Sequence, residues 1–279
     1  MKTLKKIFED AMKNKYAIGQ FNFSSLEQLQ GIVMAGEKTN TPLICGTSSG
    51  ESDFFGMEEA VACVKIMRER SGVPIFLNLD HGKNVEKIKK AVDLGYDMVH
   101  FDGSKMSLQE SIEKAKEVVS YAKEKNVIVE GEISEIKGSS TFSDKAIEKS
   151  DLKDIEEVVD FIKESGIDCI ALDVGSIHGV YRDNPEIKPE RVSELLEKIS
   201  CFVVLHGGSG ILDEDVRKVI SSGVVKVNIN TELRFAWKKA IEGKMKKDPT
   251  EIVPYKILPL ARDAVCKKVI EKITLFKGK

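Results

Sequence analysis

The chain reads as an α/β protein folded as a (β/α)8 TIM barrel, and three observations carry that reading. Eight β-like apolar runs alternate with amphipathic helical patterns, which argues a parallel sheet with helices packed on it. Eight such units in 279 residues suit a closed barrel better than an open doubly wound sheet. The unusual polar residues fall at the carboxyl ends of the runs, where this fold keeps its active sites. An open sheet with fewer true strands is the competing arrangement.

The runs are 16–23, 42–48, 74–80, 98–102, 127–133, 169–175, 202–206 and 224–230. Between them lie helical patterns with their own punctuation. Ser107 to Glu110 has the capping-box form, with Leu108, Ile112, Ala115, Val119 and Ala122 on one face. Asp151 is placed to cap a helix carrying Ile155, Val158, Val159 and Ile162, stopped near Gly166. Asp213 is placed to cap another carrying Val216, Val219 and Ile220, ended near Gly223. One domain is expected over 1–279.

Composition narrows the function. The chain is 42% hydrophobic with a net charge of −2, so no basic field points to nucleic acid. No stretch of about 18 apolar residues exists, so no membrane span is expected. Five cysteines show neither a CxxC pair nor a disulfide framework, and Cys45, Cys169 and Cys201 read as small core hydrophobes. Met1 to Lys15 lacks the apolar segment of a signal peptide. A cytoplasmic protein is expected.

Three of the four histidines share one setting, a β-like run followed by His-Gly: His81-Gly82, His178-Gly179 and His206-Gly207. A strand ending this way delivers an imidazole to the rim of a sheet. The glycine lets the chain turn and a ligand approach the backbone. Three neutral imidazoles converging from three strand ends would hold a divalent cation with a position open for substrate. For any one of them a packing or capping histidine is the plainer reading; three in the same context, with an acid beside the first, reverse the balance.

Asp80 precedes His81 directly. It is either a general acid/base on a substrate hydroxyl near the metal or a support for a histidine ligand. Neighbours in a regular strand point to opposite faces, so both reach one site only if the strand ends at Asp80. Glu130 and Glu132 share parity and can both face the interior, as metal ligands or as part of a buried ion-pair layer with a lysine such as Lys226; Asp102 carries the same two readings. Ser48, after the second run, is a further mouth residue. After the seventh run, Gly207, Gly208, Ser209 and Gly210 form a glycine loop, and after the eighth Asn228, Ile229, Asn230 and Thr231 form a turn. These loops commonly make the phosphate site of a barrel, with Thr231 placed to cap the following helix. Tight turns use the same residues.

Together these motifs resemble the class II, metal-dependent ketose-bisphosphate aldolases, which include fructose- and tagatose-bisphosphate aldolases. The similarity runs along most of the chain: 17–22 with 26–28, Leu79 to Gly82, Val129 to Ile133, Gly175 to Tyr181, Leu205 to Gly210, and Lys226 to Glu232. The resemblance implies that His81, His178 and His206 bind a catalytic Zn2+, with Co2+ as a substitute, and that Glu132 and Asp102 are alternative or outer ligands. It implies a dihydroxyacetone phosphate half held by Gly179, Gly207, Gly208, Ser209 and Asn228 to Thr231. Asp80 would act on the hydroxyl at C4 as the C3–C4 bond breaks, while the cation stabilises the enediolate charge. No lysine Schiff base is needed. A homodimer or homotetramer is implied as well.

The chain departs from the family form after Glu132. Where the family carries an acidic loop that supplies a second proton-transfer group, Ser134 to Asp144 lacks that motif, and Asp144 or Glu148 stands in for it. Asp173 also replaces a residue that is usually small. Two other functions fit the same inventory: a metal-dependent sugar-phosphate epimerase or isomerase, which needs two acid/base groups on opposite faces of one carbon, and a non-catalytic sugar-phosphate-binding barrel.

Overall fold

A computed structural model describes residues 3–143, 152–181 and 184–277. The strands, in chain order, are β1 (Ile18–Asn22), β2 (Leu43–Ser48), β3 (Ile75–Gly82), β4 (Met98–Asp102), β5 (Ile128–Glu132), β6 (Gly138–Ser143), β7 (Cys169–Ala171), β8 (His178–Tyr181), β9 (Phe202–Leu205) and β10 (Val224–Ile229). Eight of them close a parallel barrel in the order β1-β10-β9-β7-β5-β4-β3-β2, one on each of the eight expected runs, with β3 continuing two residues past its run to Gly82. The (β/α)8 reading holds.

Two strands lie outside that expectation. β6 and β8 pair as a separate parallel ribbon above the barrel, with Gly138 opposite His178 and Phe142 opposite Val180. The His178 N–H also donates to the Lys137 carbonyl at 2.8 Å. The segment after β5 therefore fixes the backbone of His178.

Helix punctuation shifts by small amounts. Ser107 caps Leu108–Lys123 through the Glu110 N–H. Asp213 is the first helical residue of Asp213–Ser222 rather than its cap, which is Leu212. Thr231 likewise opens Thr231–Lys247, and Asn230 is the cap residue. Asp151 lies outside the described residues; Asp154 caps Ile155–Ser165 by accepting the Glu156 N–H. Gly166 and Gly223 end their helices as expected, both at positive φ. Cys45, Cys169 and Cys201 are buried. Among the described residues no helix is long and apolar enough to cross a membrane.

The barrel has an apolar floor and a polar interior. Leu4, Ile7, Phe8 and Ala11 of the helix Leu4–Asn14 pack under the strands against Ile18, Ile44, Phe76, Met98, Ile128 and Val204. The helix plugs the amino-terminal end of the barrel, and its left-handed C-cap at Lys15 turns the chain into β1. Above the floor the side chains become polar. Gln20, Asn78, His100, Glu130 and Lys226 form one tier, all without measurable exposure. Asn22, Asp80, Asp102, Glu132 and Asn228 form the next, two residues further along the same five strands. A bulge between Val224 and Lys226 lets Val225 join the floor while Lys226 points into the barrel. The larger apolar core lies outside, between the strands and the helix ring.

Candidate active site

β3 solves the alternation problem by a bulge. Its register against β4 shifts between Leu79 and Gly82, and His81 takes φ 50°, the left-handed region. A non-glycine residue there is uncommon and marks a constrained position. The twist turns His81 to the same mouth as Asp80 although the ladder continues to Gly82. The strand need not end at Asp80; it bends there. The His81 N–H is satisfied by donating to His100 Nδ1 at 3.0 Å.

Four imidazoles meet at the polar tiers, with His100 reaching them from the lower one. The His81 ring lies 4.8 Å from His100, 5.0 Å from His178 and 4.9 Å from His206, and His178 lies 6.1 Å from His206. The donor atoms of Asp80, His81, His100 and His206 all fall within 4.8 Å of one another, and so do those of His81, Asp102 and Glu132. His81 belongs to both groups. His178 belongs to neither at that distance; it overlooks both from the β6–β8 ribbon. His100 was missing from the sequence reading, because it sits inside β4 with no glycine after it.

Beneath the histidines, carboxylates set their orientation. Glu130 Oε1 accepts from His206 Nε2 at 2.5 Å, and Glu130 Oε2 pairs with Lys226 Nζ at 2.7 Å. Glu130 is therefore part of the buried ion-pair layer. Asn228 Nδ2 also approaches His206 Nε2 at 3.2 Å, but one nitrogen cannot donate to a carboxylate and accept from an amide. The shorter, charge-assisted bond decides. The His206 proton sits on Nε2, and Nδ1 keeps its lone pair 3.3 Å from His81 Nε2. Asp102 Oδ2 lies 3.3 Å and Glu132 Oε2 3.5 Å from His81 Nδ1. Ser104 holds the other Asp102 oxygen through its hydroxyl and its N–H.

Charge follows from this packing. Burial disfavours ionised Asp80, but His81, His100 and His206 outweigh it and hold the carboxyl well below the usual range. Burial pushes the Glu132 carboxyl up, and hydrogen bonding from His100 with the charge of His81 brings it down. Burial, then the charges of His81 and His206, push His178 down to about 3. His206 is lowered by burial against the pull of Glu130. Burial pulls His100 down, and Glu130, Asp80 and Glu132 carry it up to about 10. The His81 N–H aimed at His100 Nδ1 opposes that protonation, because imidazolium has no acceptor. It places the neutral ring's proton on Nε2, facing Glu132.

The donor set suits a divalent cation. Imidazoles and carboxylates from β3, β4, β5 and the turn after β9 gather around shared positions, all of them buried except the partly exposed His81. Two of their atoms, His100 Nε2 and Glu132 Oε2, lie 3.2 Å apart, and neither has any other polar partner.

One cavity opens beside this cluster. Ser48, Asp80, His81, His178, Gly179 and His206 line it, as do Gly207, Ser209, Asn228, Asn230 and Thr231. Asp102 and Glu132 face an adjoining cavity on the other side of His81 and His178. Gly208 and Ile229 are not on the wall. A Cβ on Gly208 would lie 2.7 Å from Val227 Cγ1 and 2.9 Å from the Asn228 carbonyl, so that glycine serves close packing against β10. The Ile229 side chain belongs to the outer core. Gly207, at φ 63°, passes so close to the Ile177 carbonyl that a Cβ would sit 2.5 Å from it. The loop is fastened to the helix Thr231–Lys247 by Glu232, which accepts the Gly210 N–H at 3.0 Å and pairs with Lys272 at 2.7 Å.

The sequence model described as fructose-bisphosphate aldolase class-II matches residues 2–279. The chain belongs to the class-II fructose-bisphosphate aldolase family. It is 36% identical over 278 residues to a fructose-bisphosphate aldolase of Geobacillus stearothermophilus, covering 98% of this chain and 96% of that one. It is also 36% identical to a 6-phospho-5-dehydro-2-deoxy-D-gluconate aldolase of Shouchella clausii, covering 97% and 92%. The crystal structure of the YdjI aldolase of Escherichia coli K12 superposes with a TM-score of 0.83 at 27% identity, covering 99% of this chain and 96% of that one.

Two further residues of the site, Asn22 and Glu51, escaped the sequence reading. Asn22 donates to Asp80 Oδ2 at 2.9 Å, and Asn228 donates to Asp80 Oδ1 at 3.2 Å. Glu51, buried in the turn after β2, accepts from Asn22, Asn230 and Arg234. Asn22 shares parity with Gln20, and that spacing was the available signal. Glu51 stands three residues after Ser48 in a capping box, so its local role masked its tertiary one. Asp144 and Glu148 lie outside the described residues.

Proposed function

We propose that this chain is a metal-dependent aldolase that reversibly cleaves a ketose 1,6-bisphosphate, of fructose or tagatose, or a related ketose phosphate, to dihydroxyacetone phosphate and an aldehyde. His81, His178 and His206 would hold the ion, Zn2+ or Co2+, with Asp102 and Glu132 as outer or alternative ligands. Imidazole donors suit both metals. When bound, the cation supplies Lewis-acid stabilisation of the enediolate left by the cleavage.

The residues around it supply the rest. Asp80 takes the proton from the C4 hydroxyl as the C3–C4 bond breaks, and returns it in the condensation direction. Amides of Asn22 and Asn228 hold its two oxygens, so the acceptor keeps one orientation through the turnover. The backbone of Gly179, Gly207, Asn228, Asn230 and Thr231, with the hydroxyls of Ser209 and Thr231, binds the phosphate of the dihydroxyacetone half at the start of the helix Thr231–Lys247. Ser48 faces the other half of the substrate. The observation that carries this reading is the meeting of Asp80, the imidazole cluster and the glycine loop on one cavity. The epimerase reading needs a second acid/base opposite Asp80, and no described residue on that cavity supplies one.

The test is metal analysis followed by a coupled assay for dihydroxyacetone phosphate. Chelation should abolish activity, and zinc or cobalt should restore it. His81→Ala, His178→Ala and His206→Ala should each lose bound metal and keep the fold. Full activity in a metal-free preparation, or substrate trapped on a lysine by borohydride, would sink the assignment.

A further inference from the structure

The far wall of the substrate cavity is built around Glu51, and its chemistry departs from what a bisphosphate requires. Arg234 is the one arginine or lysine lining that cavity among the described residues. Its Nη2 lies 2.6 Å from Glu51 Oε1. Glu51 is 5% exposed, so an anion that drew Arg234 away would leave a buried carboxylate without its counter-ion. A second phosphate on this wall must share the guanidinium with that carboxylate and be repelled by it.

Glu51 also decides what its neighbour presents. Asn230 Nδ2 donates to Glu51 Oε1 at 3.1 Å. The opposite amide orientation would set two acceptors against each other, so the network fixes Asn230 Oδ1 on the other side. That oxygen, like Asn228 Oδ1, is buried without a hydrogen-bond partner. Both residues line the cavity. Unpartnered acceptors bind hydroxyl groups, which donate. They gain nothing from a phosphate dianion, which only accepts. The next cavity shares Ser48 and Arg234 with this one, is lined by Glu51 itself, and continues past Ser24, Ser25 and Trp237. Its lysine, Lys238, faces Glu242 at 3.5 Å.

We propose that Glu51 is a specificity-determining residue, and that it makes this half of the cavity a hydroxyl site for a ketose 1-phosphate whose tail is an uncharged polyol. The inference rests on the retro-aldol reading above and narrows its substrate class. The single phosphate sits in the glycine loop, and the aldehyde released carries no phosphate.

The metal-loaded enzyme is assayed for dihydroxyacetone phosphate release from fructose 1-phosphate, tagatose 1-phosphate and the two corresponding 1,6-bisphosphates. The expected kcat/KM for the better monophosphate exceeds that for the better bisphosphate by about tenfold or more, the scale on which an unmatched polar group discriminates. Glu51→Gln removes the charge and keeps a residue that a capping box accepts, so the fold is retained. It should move the ratio toward the bisphosphate by about fivefold or more, through the KM of the bisphosphate. A wild-type preference for a bisphosphate overturns the inference and leaves the aldolase reading standing. A ratio unmoved in a folded Glu51→Gln enzyme also overturns it. No release from any of the four sugars overturns the aldolase reading, and this inference with it.

Discussion

The buried pair beneath the metal cluster allows a double test of how the barrel interior supports its mouth. Lys226 and Glu130 have no measurable exposure and lie 2.7 Å apart. Lys226→Met leaves the Glu130 carboxylate buried with His206 as its nearest remaining partner. Deleting one member of a buried pair costs about 3–5 kcal/mol. At roughly 2 °C per kcal/mol for a chain near this size, the Tm should fall by about 6–10 °C. Adding Glu130→Gln removes the stranded charge, so the double variant should recover at least half of the loss. Glu130→Gln alone reports on the other oxygen. Glu130 Oε1 now fixes the His206 proton on Nε2 and leaves the Nδ1 lone pair, facing His81, free for a metal. A glutamine can turn its NH2 toward Nε2 and move the proton to Nδ1. Metal affinity should then drop about 10–100-fold, as when other supports of a histidine ligand are removed. Melting curves with the metal bound, and titration against a chromogenic chelator, measure the two effects separately. A Lys226→Met enzyme that melts within about 1 °C of wild type refutes the electrostatic account. An unchanged affinity in Glu130→Gln refutes the tautomer argument.

Three further outcomes are expected. Asp80→Ala should lose about 10²–10⁴ in kcat yet still bind the metal and dihydroxyacetone phosphate; loss of metal would instead make Asp80 a support for the ligands. Ser209→Ala and Thr231→Ala should act mainly on KM, by about 1.5–3 kcal/mol each, and unchanged KM in both would place the phosphate elsewhere. Phe8→Ala empties the barrel floor, where the ring is fully buried and lies 5.4 Å from Phe202; an equilibrium destabilisation of about 3–5 kcal/mol is expected by urea unfolding, and a loss below about 1 kcal/mol would show that the helix Leu4–Asn14 does not seal the barrel.

The eight barrel strands were legible because strands of a parallel barrel are buried on both faces and read as apolar runs. The three His-Gly pairs were legible as a repeated motif, although only Gly207 makes the expected turn after a barrel strand; Gly82 lies inside β3 and His178 opens β8. The β6–β8 ribbon was not. Gly138-Ser139-Ser140-Thr141 has no apolar period, and its pairing with His178–Tyr181 spans some forty residues, so only the tertiary contact makes it a strand. The caps at Asp213 and Thr231 failed by one position each, the ordinary slack where several polar residues stand together at a helix start. The close packing of Gly208 was not legible without β10, whose backbone and Val227 lie where a side chain would be.

His100 shows why half of the site was invisible. The sequence signal was an imidazole at a strand end, and His100 stands between Val99 and Phe101, where an apolar run offers no reason to single it out. Parity offers one. Met98, His100 and Asp102 share a face, and Asp102 was already a mouth residue. The same step of two joins Gln20 to Asn22, Asn78 to Asp80, Glu130 to Glu132 and Lys226 to Asn228. In each pair the second residue faces the chemistry, and the first lies beneath it in a tier where Asn78 donates to Gln20 and Lys226 pairs with Glu130. Such a tier costs desolvation and is tolerated when its members satisfy one another. A polar residue two positions before a mouth residue, within a run otherwise apolar, therefore marks the support of a site as specifically as the mouth residue marks the site itself.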